Sequence, residues 1–388
     1  MKPASIRWID ESNQIGDGEV ALRQDFSDRQ TGIPVYRLTS YPAINSNIYP
    51  EAPISTPDGR RFIFIRTELG THLSHYWIAD IATRRIRQIT DERNMQGAPI
   101  FSPDGKSIYY AAGGKIKRMC PETFERETIF TLPAKSKAMW FGDSMAYRGL
   151  RFVFGQEDRT RRRSDVVVVD VEKRKIAVVF KHPDAPCGHT QFSHNADCKI
   201  MFQVNDGIEF DALGNWTKLV GENGASLHIV DLDGKNHVKL RAGCSPLERV
   251  QGHQTWVGRT NTVITTLHRR ASVTAPWVQD RIITINAHDD HYRIVSEGPG
   301  FTHIHTDPEG RYWVADCNRT ANIYVGSIKT GRQRLFCRSG ATFGCPQYTH
   351  PHPFFMGDGQ TIGWNSDVTG IPHIFVARIP KGFLETLD

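Results

Sequence analysis

The sequence predicts an all-β fold, a seven-bladed β-propeller whose ring is closed by a strand from the N-terminal region. A unit with a period of roughly fifty residues recurs seven times along the 388 residues, which indicates a repeat architecture. Each copy consists of short segments rich in β-branched and aromatic residues, and no convincing amphipathic helix separates them. This pattern is typical of propeller blades rather than of βαβ units.

A turn, in several copies of the type PDG, precedes the first clear strand of each copy. The copies contain STPDGRRFIFIRT, FSPDGKSIYYAAGG, MAYRGLRFVFGQ, HNADCKIMFQVN, VGRTNTVITTLH, DPEGRYWVADC and MGDGQTIGWNS. A loop and further strand-like segments follow each of them, so that a copy offers about four strands, as a propeller blade requires.

The two ends of the chain predict how the ring closes. The last copy stops after three strands, because PKGFLETLD is a poor strand, whereas GIPVYRLTS near residues 33–40 is a good strand without a blade of its own. We therefore expect this N-terminal strand to complete the seventh blade, with residues 1–388 forming a single domain. A two-sheet sandwich and an eight-bladed ring explain the count and the spare strand less simply.

Composition indicates a soluble protein of the cytoplasm. Hydrophobic residues make up 39% and charged residues 23%, which is ordinary for a globular chain. Seven cysteines without a CxxC pair indicate reduced thiols rather than disulfides or a zinc ribbon. The N-terminus has no apolar signal region, and no segment approaches the roughly 18 apolar residues of a membrane span. We expect no membrane partner.

The charge pattern indicates an acidic small substrate rather than nucleic acid. The net charge of +6 is modest for this length, and the basic residues are scattered apart from a run at 159–163 that we expect in a solvated hairpin loop. A mild positive field favours acidic substrates through steering. The sequence leaves open whether the chain is a monomer or a homodimer.

Histidines recur at one place in the repeats of blades four to seven. The innermost strand of each blade lines the channel, and the segments there read CGHTQFSHNAD, QGHQTWVGR, FTHIHTDPEG and QYTHPHPFFMGDG. His189, His253, His303 and His350 thus occupy roughly equivalent positions ahead of the turn. Blades one and two have no histidine there, so the cluster is confined to one side of the channel, and this asymmetry indicates a functional site.

This histidine cluster predicts a metal site. His350 and His352 alternate along a strand, which places both side chains on one face, and paired imidazoles suit a divalent transition metal. Gln347 lies just upstream as a further oxygen donor. His189, His194 and His305, each taken singly, are as readily hydrogen-bonded core or surface residues. Three imidazoles from two independent repeats at one channel mouth are hard to explain by packing alone.

The segment QYTHPHP, followed by a DG turn and then WNSDVTGIPHIFVA, resembles the end of the oligogalacturonate lyases, and FSDRQTGIPVYRLTS resembles an early stretch of them. The similarity runs thinly over most of the chain and is sharp only in the C-terminal third. The resemblance implies a seven-bladed propeller that binds manganese through three histidines and a glutamine and cleaves short pectin fragments in the cytoplasm.

Carried over to this sequence, the resemblance implies metal ligands and a catalytic base. The implied ligands of Mn²⁺ are His303, Gln347, His350 and His352. The GHQTW element implies His253 as the base that removes a proton from the substrate. His305 lies two residues after His303 and is an alternative to it as a metal ligand.

The substrate-binding residues are less clearly implied. The family carries an arginine that neutralises the substrate on the strand that reads GASLHIVD here, and its best-matching position is Ser226. This departure puts the exact substrate in doubt. Arg269 or Arg270, after the fifth blade's strand, is a candidate replacement, and His189 and His305 are further candidates for contacts with the substrate.

The reaction implied is β-elimination from a uronate. A metal on the carboxylate stabilises the charge that develops when an imidazole removes the C5 proton, and loss of the C4 oxygen leaves a 4,5-unsaturated sugar. Two alternatives stay open: a lyase or epimerase for another uronate, and a non-catalytic interaction scaffold. Hydrolysis needs two flanking carboxylates, whereas Asp197, Asp307 and Asp358 sit in turns, where local hydrogen bonds explain them.

Overall fold

The computed structural model describes residues 8–9 and 28–388, except for 53, 84, 134–138, 146–150, 159–162, 183–186, 212–215, 219, 223 and 251. Seven antiparallel sheets of four or five strands follow one another within these residues, as the sequence predicts for a seven-bladed propeller. That the whole chain 1–388 forms one domain stays a prediction. No helix in the described part of the chain has the length and apolar character needed to span a membrane.

The first four blades are formed in chain order after two N-terminal strands, β1 and β2. The bounds are β1 (Trp8–Ile9), β2 (Tyr36–Arg37), β3 (Ile44–Asn47), β4 (Arg61–Thr67), β5 (Ser74–Asp80), β6 (Arg85–Gln88), β7 (Met95–Phe101), β8 (Ile108–Ala112), β9 (Lys115–Met119), β10 (Arg126–Thr131), β11 (Met139–Met145), β12 (Arg151–Asp158), β13 (Arg163–Asp170), β14 (Lys175–Lys181), β15 (Cys187–Phe192), β16 (Ile200–Val204), β17 (Glu209–Phe210), β18 (Trp216–Lys218), β19 (Ser226–Val230) and β20 (Val238–Lys239). β1 adds a fifth strand outside blade one, and β17 and β18 form a separate hairpin inserted into blade four. The basic run at 159–163 lies outside the described residues except for its last member, which begins β13.

The last three blades complete the ring. Their strands are β21 (Glu248–Arg249), β22 (Thr255–Trp256), β23 (Thr262–Arg269), β24 (Val278–Asn286), β25 (Tyr292–Glu297), β26 (Phe301–Thr306), β27 (Tyr312–Cys317), β28 (Asn322–Ser327), β29 (Gln333–Arg338), β30 (Phe354–Phe355), β31 (Thr361–Ser366) and β32 (His373–Arg378). Short 3₁₀ turns occupy Gln347–Thr349 and Leu384–Thr386.

The ring closes as predicted, through the N-terminal strand. β2 pairs antiparallel with β32, with Tyr36 opposite Val376 and Arg37 opposite Phe375. In the sheet order β2-β32-β31-β30, the N-terminal strand β2 is the outermost strand of the last blade. Ile33 and Val35, just before β2, are buried in the hydrophobic cluster of blades six and seven. The N-terminal segment therefore joins this blade by hydrogen bonds and by packing.

Hydrophobic side chains join the described blades to their neighbours. Representative pairs within one cluster are Phe62 with Phe354 for blades one and seven, Val166 with Phe192 for blades three and four, Leu227 with Ile283 for blades four and five, Ile264 with Trp313 for blades five and six, and Val314 with Trp364 for blades six and seven. Both faces of each blade are thus buried, which explains the near-continuous apolar character of the strands.

The PDG turns are built by local hydrogen bonds. Asp58 accepts the backbone N–H of Arg60 at 3.0 Å, and Asp358 accepts that of Gln360 at 2.9 Å. Gly59 has φ +66°, and a Cβ there would lie 2.6 Å from Cγ of Asp358. Glycine is required because the turns of the first and last blades touch at this point.

The contacts of Thr39 with the last blade provide a test of how the ring is closed. Its buried hydroxyl accepts the N–H of Ile374 at 3.1 Å and lies 2.9 Å from Nδ1 of His373. Thr39→Val keeps the volume but leaves the N–H of Ile374 unsatisfied and removes one of the two partners of His373 Nδ1, so we expect the free energy of unfolding to fall by roughly 1–3 kcal/mol. Thr39→Ser retains the hydroxyl and is the control. Equal stability of the two variants in urea unfolding would contradict this account.

Candidate metal centre and active site

Three of the predicted metal ligands converge at the propeller axis. His303, His350 and His352 each offer a ring nitrogen, and these three atoms all lie within 4.8 Å of one another. The ring centroids of His303 and His352 are 3.9 Å apart, and those of His303 and His350 are 5.5 Å apart. His253 packs against this triad, with its ring centroid 4.4 Å from that of His303.

Irregularities in two inner strands occur at His303 and His189 and turn these side chains toward the channel. The pairing of β26 with β27 slips between Phe301 and Ile304, around His303, and that of β15 with β16 slips between Gly188 and Gln191, around His189. A bulge of this kind leaves a residue unpaired and re-aims its side chain. A regular strand would instead have sent alternate side chains into the neighbouring blades.

The backbone at the site is held in an unfavourable conformation. His189, His253 and His352 have φ values of +49°, +64° and +44°, in the left-handed region. In blade two the corresponding slip of the inner strand contains Gly97, whose φ of +69° has no such cost. Non-glycine residues there cost on the order of 1–3 kcal/mol each and cluster at functional sites. The ring thus maintains local strain at three histidines that face one space.

Asp316 orients the triad from behind. This carboxylate on β27 is fully buried, and its Oδ2 lies 2.8 Å from Nδ1 of His303. It also accepts the backbone N–H groups of His303 at 2.9 Å and of His352 at 3.2 Å. Burial raises the pKa of Asp316 to about 7. With Nδ1 of His303 engaged, Nε2 is the nitrogen that remains for a metal, as in carboxylate–histidine–metal arrangements.

The donor set fits a divalent metal. Nδ1 of His350 and Nε2 of His352 are buried and have no hydrogen-bond partner among the described residues, while Nε2 of His350 lies 2.8 Å from the carbonyl oxygen of Gly344. Burial lowers the pKa of His303 and His352 well below 6.5, which keeps their lone pairs free of protons. Unsatisfied buried nitrogens are costly, and neutral imidazoles are ligands for divalent transition metals.

Gln347 lies one turn before His350. It begins the 3₁₀ turn, and its carbonyl oxygen accepts the N–H of His350 at 3.0 Å. The residue is exposed. Its role as a fourth ligand stays a prediction.

Blade one contributes two residues that the sequence analysis missed. The ring centroid of Tyr49 lies 5.1 Å from those of His189 and His352, 6.0 Å from that of His253 and 6.1 Å from that of His303. Glu51 is buried, and its Oε1 is hydrogen-bonded to Nδ1 of His189. The clustered histidines come from blades four to seven, as the sequence indicates, but blade one also contributes side chains to the site. The available signal was NIYPEAP at the equivalent place in the repeat.

Two of the candidate substrate contacts have other partners. Nδ1 of His305 accepts the backbone N–H of Phe355 at 3.1 Å, and burial lowers its pKa to about 3. Arg270 donates from Nε to the carbonyl of Pro246 at 2.7 Å and lies 4.3 Å over the ring of Trp277. His305 therefore links blades six and seven by a hydrogen bond, and Arg270 packs within blade five.

Ser226, at the position where the resemblance implies an arginine, is buried in blade four. Its Oγ lies 2.9 Å from Nε2 of His228, whose Nδ1 lies 2.8 Å from Nε2 of His237. Burial lowers the pKa of His228 to about 3. The other candidate replacement, Arg269, forms an ion pair with Asp280 at 2.8 Å. Ser226 is uncharged and Arg269 is already paired with Asp280, so neither residue supplies an unpaired positive charge for the substrate.

Known proteins similar in sequence to this chain include oligogalacturonate lyases. No protein-family model matches the chain. It is 22% identical to an oligogalacturonate lyase of Dickeya dadantii (strain 3937) and 21% identical to an oligogalacturonide lyase of Pectobacterium atrosepticum, in both cases covering 92% of this chain and 95% of the relative. The chain resembles the oligogalacturonate lyases along nearly its full length.

Solved structures give the same result for the fold. An oligogalacturonate lyase in complex with manganese superposes with a TM-score of 0.75 at 19% identity, covering 98% of this chain and all of that one. The oligogalacturonate lyase of Vibrio parahaemolyticus gives a TM-score of 0.73 at 18% identity, covering 92% of this chain and 96% of that one. The predicted propeller fold and the predicted resemblance are both confirmed.

Asp316 provides a test of the metal centre. We expect Asp316→Ala to weaken Mn²⁺ binding roughly 10–100-fold, because the imidazole of His303 loses the partner that orients it. Asp80→Asn is the control, since Asp80 is an equally buried carboxylate in blade one that pairs with Arg60 and Arg61. Titration calorimetry measures both. Unchanged affinity in the alanine variant would exclude this role for Asp316.

Proposed function

We propose that the protein is a metal-dependent lyase that cleaves short oligogalacturonates by β-elimination and leaves a 4,5-unsaturated uronate. The observation that carries the proposal is the triad of His303, His350 and His352 with His253 against it, at the axis of a propeller similar in sequence and fold to oligogalacturonate lyases. The substrate is a short acidic oligosaccharide, and the net charge of +6 favours its approach.

The proposed ligands are His303, Gln347, His350 and His352. A bound divalent cation supplies Lewis-acid neutralisation of the substrate carboxylate, which makes the neighbouring C5 proton more acidic. Mn²⁺ is proposed because a similar structure is a complex with manganese. Imidazole and amide donors also accept iron, nickel or zinc, so the ligand type alone does not select manganese.

His253 is the proposed base. Burial lowers its pKa well below 6.5, and the neighbouring His303 and His189 lower it further, so the imidazole is unprotonated at neutral pH and able to accept a proton. Its Nδ1 lies 3.4 Å from Oγ1 of Thr302, which limits rotation of the ring. The base thus stands beside the proposed ligands.

Hydrolysis finds no support in the turn carboxylates. Asp307 accepts the backbone N–H groups of Arg311 and Tyr312, both at 2.7 Å, and Asp197 accepts Nδ2 of Asn261 at 2.6 Å. Asp307 holds its own turn, as the sequence predicts, whereas Asp197 links the turn of blade four to that of blade five. Ser226 in place of an arginine favours the alternative that the substrate is a different uronate.

A cytoplasmic location is part of the same proposal and rests on the resemblance and on the cysteine usage.

The reaction is tested on a panel of short uronate oligomers with Mn²⁺-loaded protein. We expect ultraviolet absorbance of the conjugated product to rise with oligogalacturonate and to be lost with a chelator, because the carboxylate is then no longer neutralised. If absorbance rises only with another uronate, the proposed reaction stands and the proposed substrate is wrong. Silence across the panel in a metal-bearing protein would reject the lyase.

Two histidine variants separate base from ligand. We expect His253→Ala to lower kcat roughly 10²–10⁴-fold with Mn²⁺ still bound. His352→Ala should lose the metal itself, because one of three imidazole donors is gone. His291→Ala, at an exposed histidine outside the triad, is the control. Full activity of His253→Ala with bound metal would remove His253 from the mechanism.

A further inference from the structure

The proposed elimination needs a second proton transfer that His253 does not provide. After the C5 proton has left, the bond between C4 and its oxygen breaks, and the departing oxygen must gain a proton. A base that has just taken the C5 proton beside the metal ligands accounts for only one of the two transfers. Among the described residues around the triad, the proton-bearing groups left unassigned are Tyr49 and the pair of His189 and Glu51.

The pair has the construction of an acid–base dyad. The Glu51 side chain is 4% exposed, whereas that of His189 is 29% exposed, so the carboxylate is enclosed and the imidazole reaches the channel. A buried carboxylate on Nδ1 fixes the orientation of the ring and stabilises its protonated form. Nε2 is then the nitrogen that faces a ligand.

The pair is assembled by the tertiary structure across the ring. Glu51 lies in blade one, between β3 and an isolated bridge at Ser55, and His189 lies in the bulge of β15 in blade four. His189 is held at φ +49°. Two irregular inner segments on opposite sides of the channel meet here, and packing within either blade does not require them to.

The pair also lies near the base. The Tyr49 ring contacts both imidazoles, with centroid distances of 5.1 Å to His189 and 6.0 Å to His253. The two histidines therefore flank one aromatic side chain in the same space. An imidazolium is a stronger acid than a phenol, which favours His189 over Tyr49 as the proton donor.

We propose, building on the proposed lyase function, that His189 held by Glu51 is the general acid that protonates the departing C4 oxygen. His253 takes the C5 proton and leaves a carbanion beside the carboxylate, and the electron pair of this carbanion then becomes the C4=C5 double bond. The C4–O bond breaks with its electron pair on oxygen, and oxygen takes the proton from Nε2 of His189. Water then removes the proton from His253 and returns one to His189, so no other reactant is consumed.

His189→Asn is the first variant, because asparagine tolerates the left-handed backbone of this position. We expect kcat on oligogalacturonate to fall roughly 10²–10⁴-fold with KM little changed. A galacturonate that carries fluoride at C4 needs no proton on its leaving group, so the same variant should process it within a few-fold of the unmodified protein. His253→Asn should fail on both substrates.

Glu51→Gln is the second variant, since it keeps a hydrogen-bonding side chain and removes the charge. We expect the same substrate-dependent pattern with a smaller loss. Mn²⁺ affinity and the thermal midpoint, measured alongside, should match those of the unmodified protein. Equal losses on both substrates in either variant, or a raised KM with unchanged kcat, would overturn the acid role.

Exchange of the C5 proton in D₂O separates this proposal from the lyase function. Mass spectrometry of recovered substrate should show that His189→Asn still removes the C5 proton, while His253→Asn does not. If the unmodified protein gives neither exchange nor unsaturated product with any uronate, the lyase function itself fails. Product formation with full activity of His189→Asn refutes only the acid role.

Discussion

The closing contact between β2 and β32 is the constraint on which the rest of the structure depends. Each blade buries both of its faces against neighbours, so an open ring would leave the apolar faces of the first and last blades in water. Hydrogen bonds from residues 36–39 to the last blade hold the ends together. Because the ring is closed, the inner segments of blades far apart in sequence are fixed at one axis.

Closure also explains how the site sustains its strain. His189, His253 and His352 have left-handed backbone conformations that a short peptide would abandon. Regular hydrogen-bonded strands and inter-blade packing hold these positions from both sides. The unfavourable conformations are tolerated because the stability of seven blades exceeds their cost. The imidazoles are thereby aimed at one another before any ligand arrives.

Two buried carboxylates orient imidazoles at the site. Asp316 lies behind the triad and engages a ring nitrogen and two backbone N–H groups, so it orients ligands without facing the channel. Glu51 is placed in the same way behind His189. Burial keeps His253, His303 and His352 unprotonated. The two pairs differ in exposure, because the imidazole of His303 is buried with its carboxylate whereas that of His189 is partly exposed.

The sequence by itself determined the blade count, the closing strand and the triad of His303, His350 and His352, because these follow from periodicity and from a local HPH spacing. It did not reveal Tyr49, Glu51 or Asp316, whose importance arises from contacts with residues that lie from 13 positions (Asp316 to His303) to 303 positions (Tyr49 to His352) away along the chain. A repeat pattern fixes where each inner strand lies. Only the closed ring decides which side chains meet at the axis, because bulges change the direction of a side chain without leaving a mark in the local sequence.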